Sequence, residues 1–164
     1  YIKKADKNLF LIGFDTGFFL KDSIQKKKIQ NKYIDYQIYS DLRDLKQKEL
    51  KKFNIDTIIH LAAISNDPMG NFFTKPTRQI NTIYTKKFIN WAFKNSVKRF
   101  VFASSCSVYG FSSKVCNENS RTNPLTEYAR SKLEIEKHLK KKVNKTLKAV
   151  SLRFSTKPSA VSLI

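Results

Sequence analysis

The feature that most constrains this chain is an alternation of short apolar runs with strand character and segments with helical spacing. The strand candidates are residues 8–14 (NLFLIGF), 34–40, 55–63 (IDTIIHLAA), 99–103 (RFVFA) and 148–153. Between them the pattern predicts a short helix from the Asp41-Leu42-Arg43-Asp44 segment through Lys52. A long helix is predicted over residues 76–96, where Ile80, Ile83, Tyr84, Phe88, Trp91 and Ala92 recur at three- and four-residue spacings. A third is predicted over 125–142. Near-continuous apolar strands alternating with helices predict an α/β fold built on a parallel sheet covered on both faces. Such sheets take ligands beyond the C-terminal ends of their strands, at a switch point in strand order. The residues to inspect are therefore Asp15, Asp41 and those at 62–65, 104–109 and 154–156.

Composition narrows the function classes. The chain has 164 residues, 41% of them hydrophobic and 27% charged, a globular composition with enough material for one core. No apolar run approaches the length of a bilayer span, and no segment has the order of a signal peptide, so neither a membrane nor a secretory route is expected. Cys106 and Cys116 fit no zinc or disulfide framework and read as reduced thiols of a cytoplasmic protein. The net charge of +19 comes from 26 Lys and only six Arg, in a chain also rich in Asn, Ile, Phe and Tyr. Apart from local runs at 26–28 and 140–142, the Lys are scattered, without the Arg forks or stacking aromatics of a nucleic-acid footprint. A solvated surface is expected, and no specific nucleic-acid partner.

Tyr128 and Lys132 stand four apart on the last predicted helix and so share a face. In a chain with seven Tyr and 26 Lys, that spacing alone carries no weight. It gains weight from Ser104-Ser105-Cys106-Ser107-Val108-Tyr109-Gly110, a hydroxyl cluster at the C-terminal end of a predicted strand and one loop upstream of the helix. Strand end and helix can reach one crevice. His60, mid-strand in an apolar run, reads as a packed core residue. His138 reads as an exposed helix residue, and Cys106 as a small filler.

The segments RFVFASSCSVYG and NPLTEYARSK resemble the extended short-chain dehydrogenase/reductase family, in particular its NAD-dependent nucleotide-sugar epimerases and dehydratases. GFDTGFF resembles the end of that family's second strand, SDLRD the turn after its third, DTIIHLAAISNDP its fourth strand and the small-residue turn beyond, and SLRFST the strand after the active-site helix. The resemblance covers residues 8–156 and implies a Rossmann-like, doubly wound parallel sheet. It implies that Tyr128 takes a proton from a sugar hydroxyl while hydride passes to NAD, that Ser105 hydrogen-bonds the same oxygen, and that Lys132 holds the nicotinamide ribose. A tyrosine with an ordinary pKa of about 10 is a poor base at neutral pH, so a neighbouring Lys132 ammonium and a positive nicotinamide are expected to lower it. Cofactor contacts are implied for Asp15, Thr16, Asp41, Leu42, Leu61, Ala62, Ala63, Asn81, Tyr128 and Lys132. Asp15 would accept from the adenosine ribose and repel a 2′-phosphate, favouring NAD over NADP; Asp41 would accept from the adenine amino group. Asn81 either braces a loop near the active site, as a matching family asparagine does, or is an exposed helix residue. The implied partners are a nucleotide-sugar and, as is frequent in the family, a second copy of the chain.

The family fold opens with a strand and a G-x-x-G-x-x-G turn whose amides hold the pyrophosphate. The four glycines of this chain, Gly13, Gly17, Gly70 and Gly110, form no such run. Residues 1–7 resemble the tail of the helix after that turn, and residues 157–164 do not resemble the family's continuation into its substrate domain. The expectation is an incomplete Rossmann domain over 1–156 with a divergent tail at 157–164. The first strand and the C-terminal substrate domain would then be missing, and the chain inactive and a poor binder of NAD by itself. A non-catalytic remnant of the family and a Lys-rich binding module are the alternatives.

Overall fold

The computed structural model describes residues 2–18, 33–65, 67–155 and 161–163. The lysine run at 26–28, Asn66, Thr156, the tail segment 157–160 and Ile164 lie outside them. The chain divides into two compact units, Tyr1–Leu45 and Lys46–Ile164.

The N-terminal unit holds a short helix α1 (Ile2–Ala5) and two four-residue strands, β1 (Ile12–Asp15) and β2 (Tyr36–Tyr39). The strands pair in parallel, with Ile12 opposite Tyr36 and Asp15 opposite Tyr39. Asp35, just before β2, organises the start of the pair. Its carboxylate accepts from the Leu11 amide at 2.7 Å and from Lys3 of α1, and these donors hold its pKa below the ordinary value.

The C-terminal unit contains α2 (Gln47–Lys51), β3 (Thr57–His60), α3 (Asp67–Phe72), α4 (Thr74–Thr77), α5 (Thr85–Lys94), β4 (Arg99–Ser105), α6 (Glu127–Lys142), β5 (Lys148–Phe154) and β6 (Val161–Leu163). Its sheet has the order β3-β4-β5-β6. The first three strands run parallel, with Thr57 opposite Arg99 and Arg99 opposite Lys148, as the alternating pattern predicts. β6 runs antiparallel to β5, Leu152 facing Leu163, and lies in the stretch expected to be a divergent tail. The core gathers Ile58, Ile89, Trp91, Ala92, Val97, Phe100, Phe102, Val108, Ile135, Leu139 and Leu147 between sheet and helices.

The long helix predicted over 76–96 departs from its expected face. Between α4 and α5 the chain winds as a seven-residue π-helix, Arg78–Tyr84. The widened turn shifts the buried stripe onto Thr77, Asn81, Thr82 and Thr85, and leaves Ile83, expected on the apolar face, 42% exposed. Two of these inward polar side chains bond backbone: Thr85 donates to the Ile80 carbonyl at 2.9 Å, and Asn81 reaches Ile64. The α6 helix begins where predicted because Thr126 caps it, accepting from the Ala129 amide at 3.1 Å. Its last turn carries the lysine run Lys140, Lys141 and Lys142, cations placed against the negative end of the helix dipole.

Candidate active site

β4 ends at Ser105, and a 3-10 turn, Cys106–Tyr109, follows at once. The Ser105 hydroxyl accepts from the Ser107 amide at 3.2 Å, which fixes it at the C-terminal edge of the sheet. The first turn of α6 carries Tyr128, and Lys132 follows one turn later. Lys132 lies along β4: its Nζ donates to the Ala103 carbonyl at 2.7 Å, 4.9 Å from the Phe102 ring centre and 5.4 Å from that of Tyr128. Ser105 is near enough to the Tyr128 hydroxyl to act on its ionisation. The three residues that sequence spacing and resemblance had selected thus meet at one strand end.

Their electrostatics differ from expectation in one respect. Burial lowers Lys132 to about 8. Tyr128 is not lowered by its lysine neighbour; its pKa is raised, first by burial, with the charges of Asp67 and Cys106 adding to the rise and the Ser105 hydroxyl acting against it. The phenol of the ligand-free protein is therefore protonated at neutral pH. Lys132 has its ammonium turned to a backbone carbonyl and desolvated, so its pull on the phenol is spent elsewhere.

Two residues that the sequence did not single out shape this corner. Asp67 opens α3 and accepts at one carboxylate oxygen from Ser107 at 2.9 Å and at the other from Thr126, the cap of α6. Gly70 lies against the same helix: a Cβ there would come within 2.7 Å of the Tyr128 Cβ and 3.0 Å of its amide nitrogen. Only glycine lets α3 approach so closely. The available signal was the Asp-Pro helix start after the small-residue turn that follows β3.

Around this centre, Asn81 is buried and spans the backbone of Ile64, accepting from its amide and donating to its carbonyl, each at 2.9 Å. That bracket pins the turn carrying Leu61, Ala62 and Ala63, of which Leu61 is 68% exposed. His60 is buried against Phe88, Phe100 and Phe102, and its Nε2 lies 3.1 Å from the Thr85 hydroxyl. Burial, then the Lys132 charge, lowers it to about 3. His138, expected to be exposed, is half-buried instead, its Nε2 3.1 Å from Asn90 Oδ1 across the α5–α6 packing. Beneath Ser105, Arg153 of β5 forks onto Glu136 of α6 at 3.0 and 2.7 Å and donates to the Tyr109 hydroxyl at 2.9 Å, while Ser104 donates to Glu136.

The remaining expected contacts belong to the N-terminal unit. Asp15 is exposed at the end of β1 and accepts from the Gly17 amide at 2.7 Å; the Thr16 hydroxyl accepts weakly from Phe18 at 3.4 Å. Asp41 follows β2, with Arg43 forked onto its carboxylate at 3.0 and 2.9 Å, and this partner holds its pKa down. Leu42 is buried beside it.

The profile of the NAD dependent epimerase/dehydratase family matches residues 20–160. Among curated relatives, the N-acetyl-alpha-D-glucosaminyl-diphospho-ditrans,octacis-undecaprenol 4-epimerase of Escherichia coli O157:H7 is 30% identical over 105 residues, 64% of this chain and 31% of that protein. An uncharacterised UDP-glucose epimerase of Bacillus subtilis (strain 168) is 32% identical over 143 residues, 80% of this chain and 43% of its own length. The chain thus spans less than half the length of the curated relatives it matches. Among solved structures, the UDP-glucuronic acid 4-epimerase of Bacillus cereus in complex with NAD superposes with a TM-score of 0.74 at 22% identity, over 93% of this chain and 50% of that one.

Proposed function

The chain belongs to the NAD dependent epimerase/dehydratase family, and we propose that it carries the catalytic half of an enzyme that interconverts the epimers of a nucleotide-sugar by transient hydride transfer to NAD. The observation that carries this reading is the meeting of Ser105, Tyr128 and Lys132 at the C-terminal end of β4. The curated relatives named above are epimerases of sugars carried on a diphosphate, one on a polyprenol and one on UDP, and the second of these supports a nucleotide-sugar as substrate.

The residues present fit NAD by the chemistry of their donor set. Asp15 offers an exposed carboxylate to ribose hydroxyls, Asp41 and Leu42 a carboxylate and a backbone turn to adenine, and Leu61, Ala62 and Ala63 a small-residue edge. Asn81 holds that edge in place, and Lys132 offers donors to the nicotinamide ribose. When bound, NAD supplies the hydride acceptor and a positive charge beside the phenol. Tyr128 accepts the proton of the sugar hydroxyl as its carbon is oxidised. Ser105 donates to the same oxygen and steadies the carbonyl that develops there. Tyr128 would give the proton back to the same oxygen once the carbon is reduced again from its opposite face, which would complete epimerisation. Lys132, lowered to about 8, donates to the Ala103 carbonyl in this structure; turned toward the phenol and the ribose, its ammonium would offset the burial that keeps Tyr128 protonated.

The test is a chimera that carries residues 2–155 of this chain between the flanking segments of the Bacillus cereus enzyme. The chimera is expected to bind NAD and to interconvert UDP-hexose epimers, followed chromatographically. Tyr128→Phe should lower turnover by ~10³-fold. Turnover that survives Tyr128→Phe, or NAD binding without any conversion of nucleotide-sugars, would overturn the reading.

A further inference from the structure

Asp67 touches neither Tyr128 nor Ser105 directly, yet its carboxylate is tied to both of the elements that carry them. An ionised carboxylate only accepts hydrogen bonds. Ser107, whose Oγ is 2.9 Å from Asp67, must therefore donate its proton there. Thr126 must do the same at the other oxygen, which leaves the Thr126 hydroxyl free to accept from the Ala129 amide and cap α6. With its proton committed to Asp67, the Ser107 hydroxyl can only accept from Ser105, whose Oγ lies 3.1 Å away. Ser105 in turn accepts from the Ser107 amide at 3.2 Å. One carboxylate thus dictates the direction of a chain of hydroxyls that ends at Ser105. A second observation, independent of the hydrogen bonds, places α3 against the base: the close packing of Gly70 on Tyr128.

We propose that Asp67 is a positioning residue that sets the polarity of a Ser105–Ser107–Asp67 hydroxyl relay, so that in the resting protein the Ser105 proton is directed to Ser107 and reaches a substrate oxygen only when that bond opens. The proposal deepens the reading of Ser105 and Tyr128 as the pair that handles the sugar hydroxyl, and rests on it. Its chemical sense is a guard on the base. A donor hydroxyl from Ser105 favours phenolate, and the relay withholds that donor by holding the proton on Ser107. The substrate oxygen competes with Ser107 for it, and the 3.1 Å bond between the two serines is the one that must break. The groups that face the phenol are Lys132 on its own helix, Asp67 on α3, and Ser105 and Cys106 at the end of β4.

The relay is testable in the 164-residue chain without cofactor or substrate, by titrating tyrosine ring carbons by NMR and assigning Tyr128 with Tyr128→Phe. Ser107→Ala frees the Ser105 proton for the phenol while leaving the Asp67 charge in place. Asp67→Asn removes both the charge and the direction of the relay. Each is expected to lower the Tyr128 midpoint by about one pH unit. Thr126→Val disturbs the other oxygen of Asp67 and the cap of α6; it should lower the Tm and leave the Tyr128 midpoint within ~0.3 unit of the parent. An unmoved midpoint in Ser107→Ala overturns the relay. A Thr126→Val shift as large as that of Asp67→Asn also overturns it, because packing rather than hydroxyl direction would then be responsible. The outcome is separable from the enzymatic reading. A chain with the expected titrations whose chimera binds NAD but converts no nucleotide-sugar keeps the relay and loses the reading, and active chimeras with unmoved titrations do the reverse.

Discussion

Two arginine forks in this protein have nearly the same geometry and different meanings. In the N-terminal unit, Arg43 grips Asp41 at 3.0 and 2.9 Å, two residues apart in the chain, with the arginine side chain 40% exposed. In the C-terminal unit, Arg153 grips Glu136 at 3.0 and 2.7 Å, with 6% and 7% of the two side chains exposed. The first is a local device: it stiffens the turn after β2 and holds the Asp41 carboxylate ionised. The second joins β5 to α6 and, through Tyr109 and Ser104, to the strand end that carries Ser105. Distances alone do not rank these pairs. Burial does, because removing one partner of a desolvated pair strands a charge that water cannot reach.

The largest effect should come from breaking the buried fork. Glu136→Leu leaves the Arg153 guanidinium buried without a carboxylate, and denaturant unfolding should show a loss of about 3–5 kcal/mol. A loss below about 1 kcal/mol would place this fork in the same class as the exposed one. Lys132→Met sharpens the contrast in the other direction. Its pKa of about 8 in the fold against 10.5 in the unfolded chain means that the unfolded state holds the proton more tightly, so stability is reduced below pH 8 and recovers as pH rises toward 10.5. Removing the charge should stabilise the protein at pH 7 by about 2 kcal/mol, after allowance for the lost bond to Ala103, and flatten the profile between pH 8 and 10.5.

His60 gives the next effect. Lowered to about 3 from 6.5, it refuses a proton that the unfolded chain accepts, so stability should fall as pH drops from 6.5 toward 3, by up to ~1.4 kcal/mol per pH unit. His60→Leu should remove that slope in thermal unfolding followed from pH 7 to 4; an unchanged slope would assign acid sensitivity to other groups. Smallest is Arg43→Ala, expected to cost under about 1 kcal/mol and to shrink further in added salt. A loss comparable to that of Glu136→Leu would erase the distinction between the two forks.

What could be read from the sequence follows the same division. The strands of the C-terminal unit were legible because apolar, β-branched runs report burial locally; β1 and β2 were legible from the same apolar character although none of their residues is buried. Tyr128 and Lys132 were legible because four-residue spacing is a property of one helix. The turn residues Asp15 and Asp41 make their bonds to neighbours two positions away, and such bonds travel with the sequence. The π-helix was not legible: Ile80, Ile83 and Tyr84 have a regular apolar period, and the extra residue per turn is selected by what Asn81 and Thr85 can bond once the helix meets the turn after β3. Asp67 and Gly70 were missed for a related reason, since their partners Thr126 and Tyr128 lie nearly sixty residues away.

By itself the sequence determined the α/β class, the parallel direction of the central strands, and the shared helix face of Tyr128 and Lys132. Each of these depends on periodicity within a few residues. Only the tertiary structure decided the ionisation of the site and its polarity. Whether a lysine four residues from a tyrosine lowers that tyrosine depends on where its ammonium is turned and on how much water the surrounding elements exclude. In this fold the ammonium goes to the Ala103 carbonyl, α3 closes on Tyr128 through Gly70, and the Asp67 charge arrives from across the chain. Desolvation and Coulomb energy are set by distances in space, and no spacing along the chain encodes them.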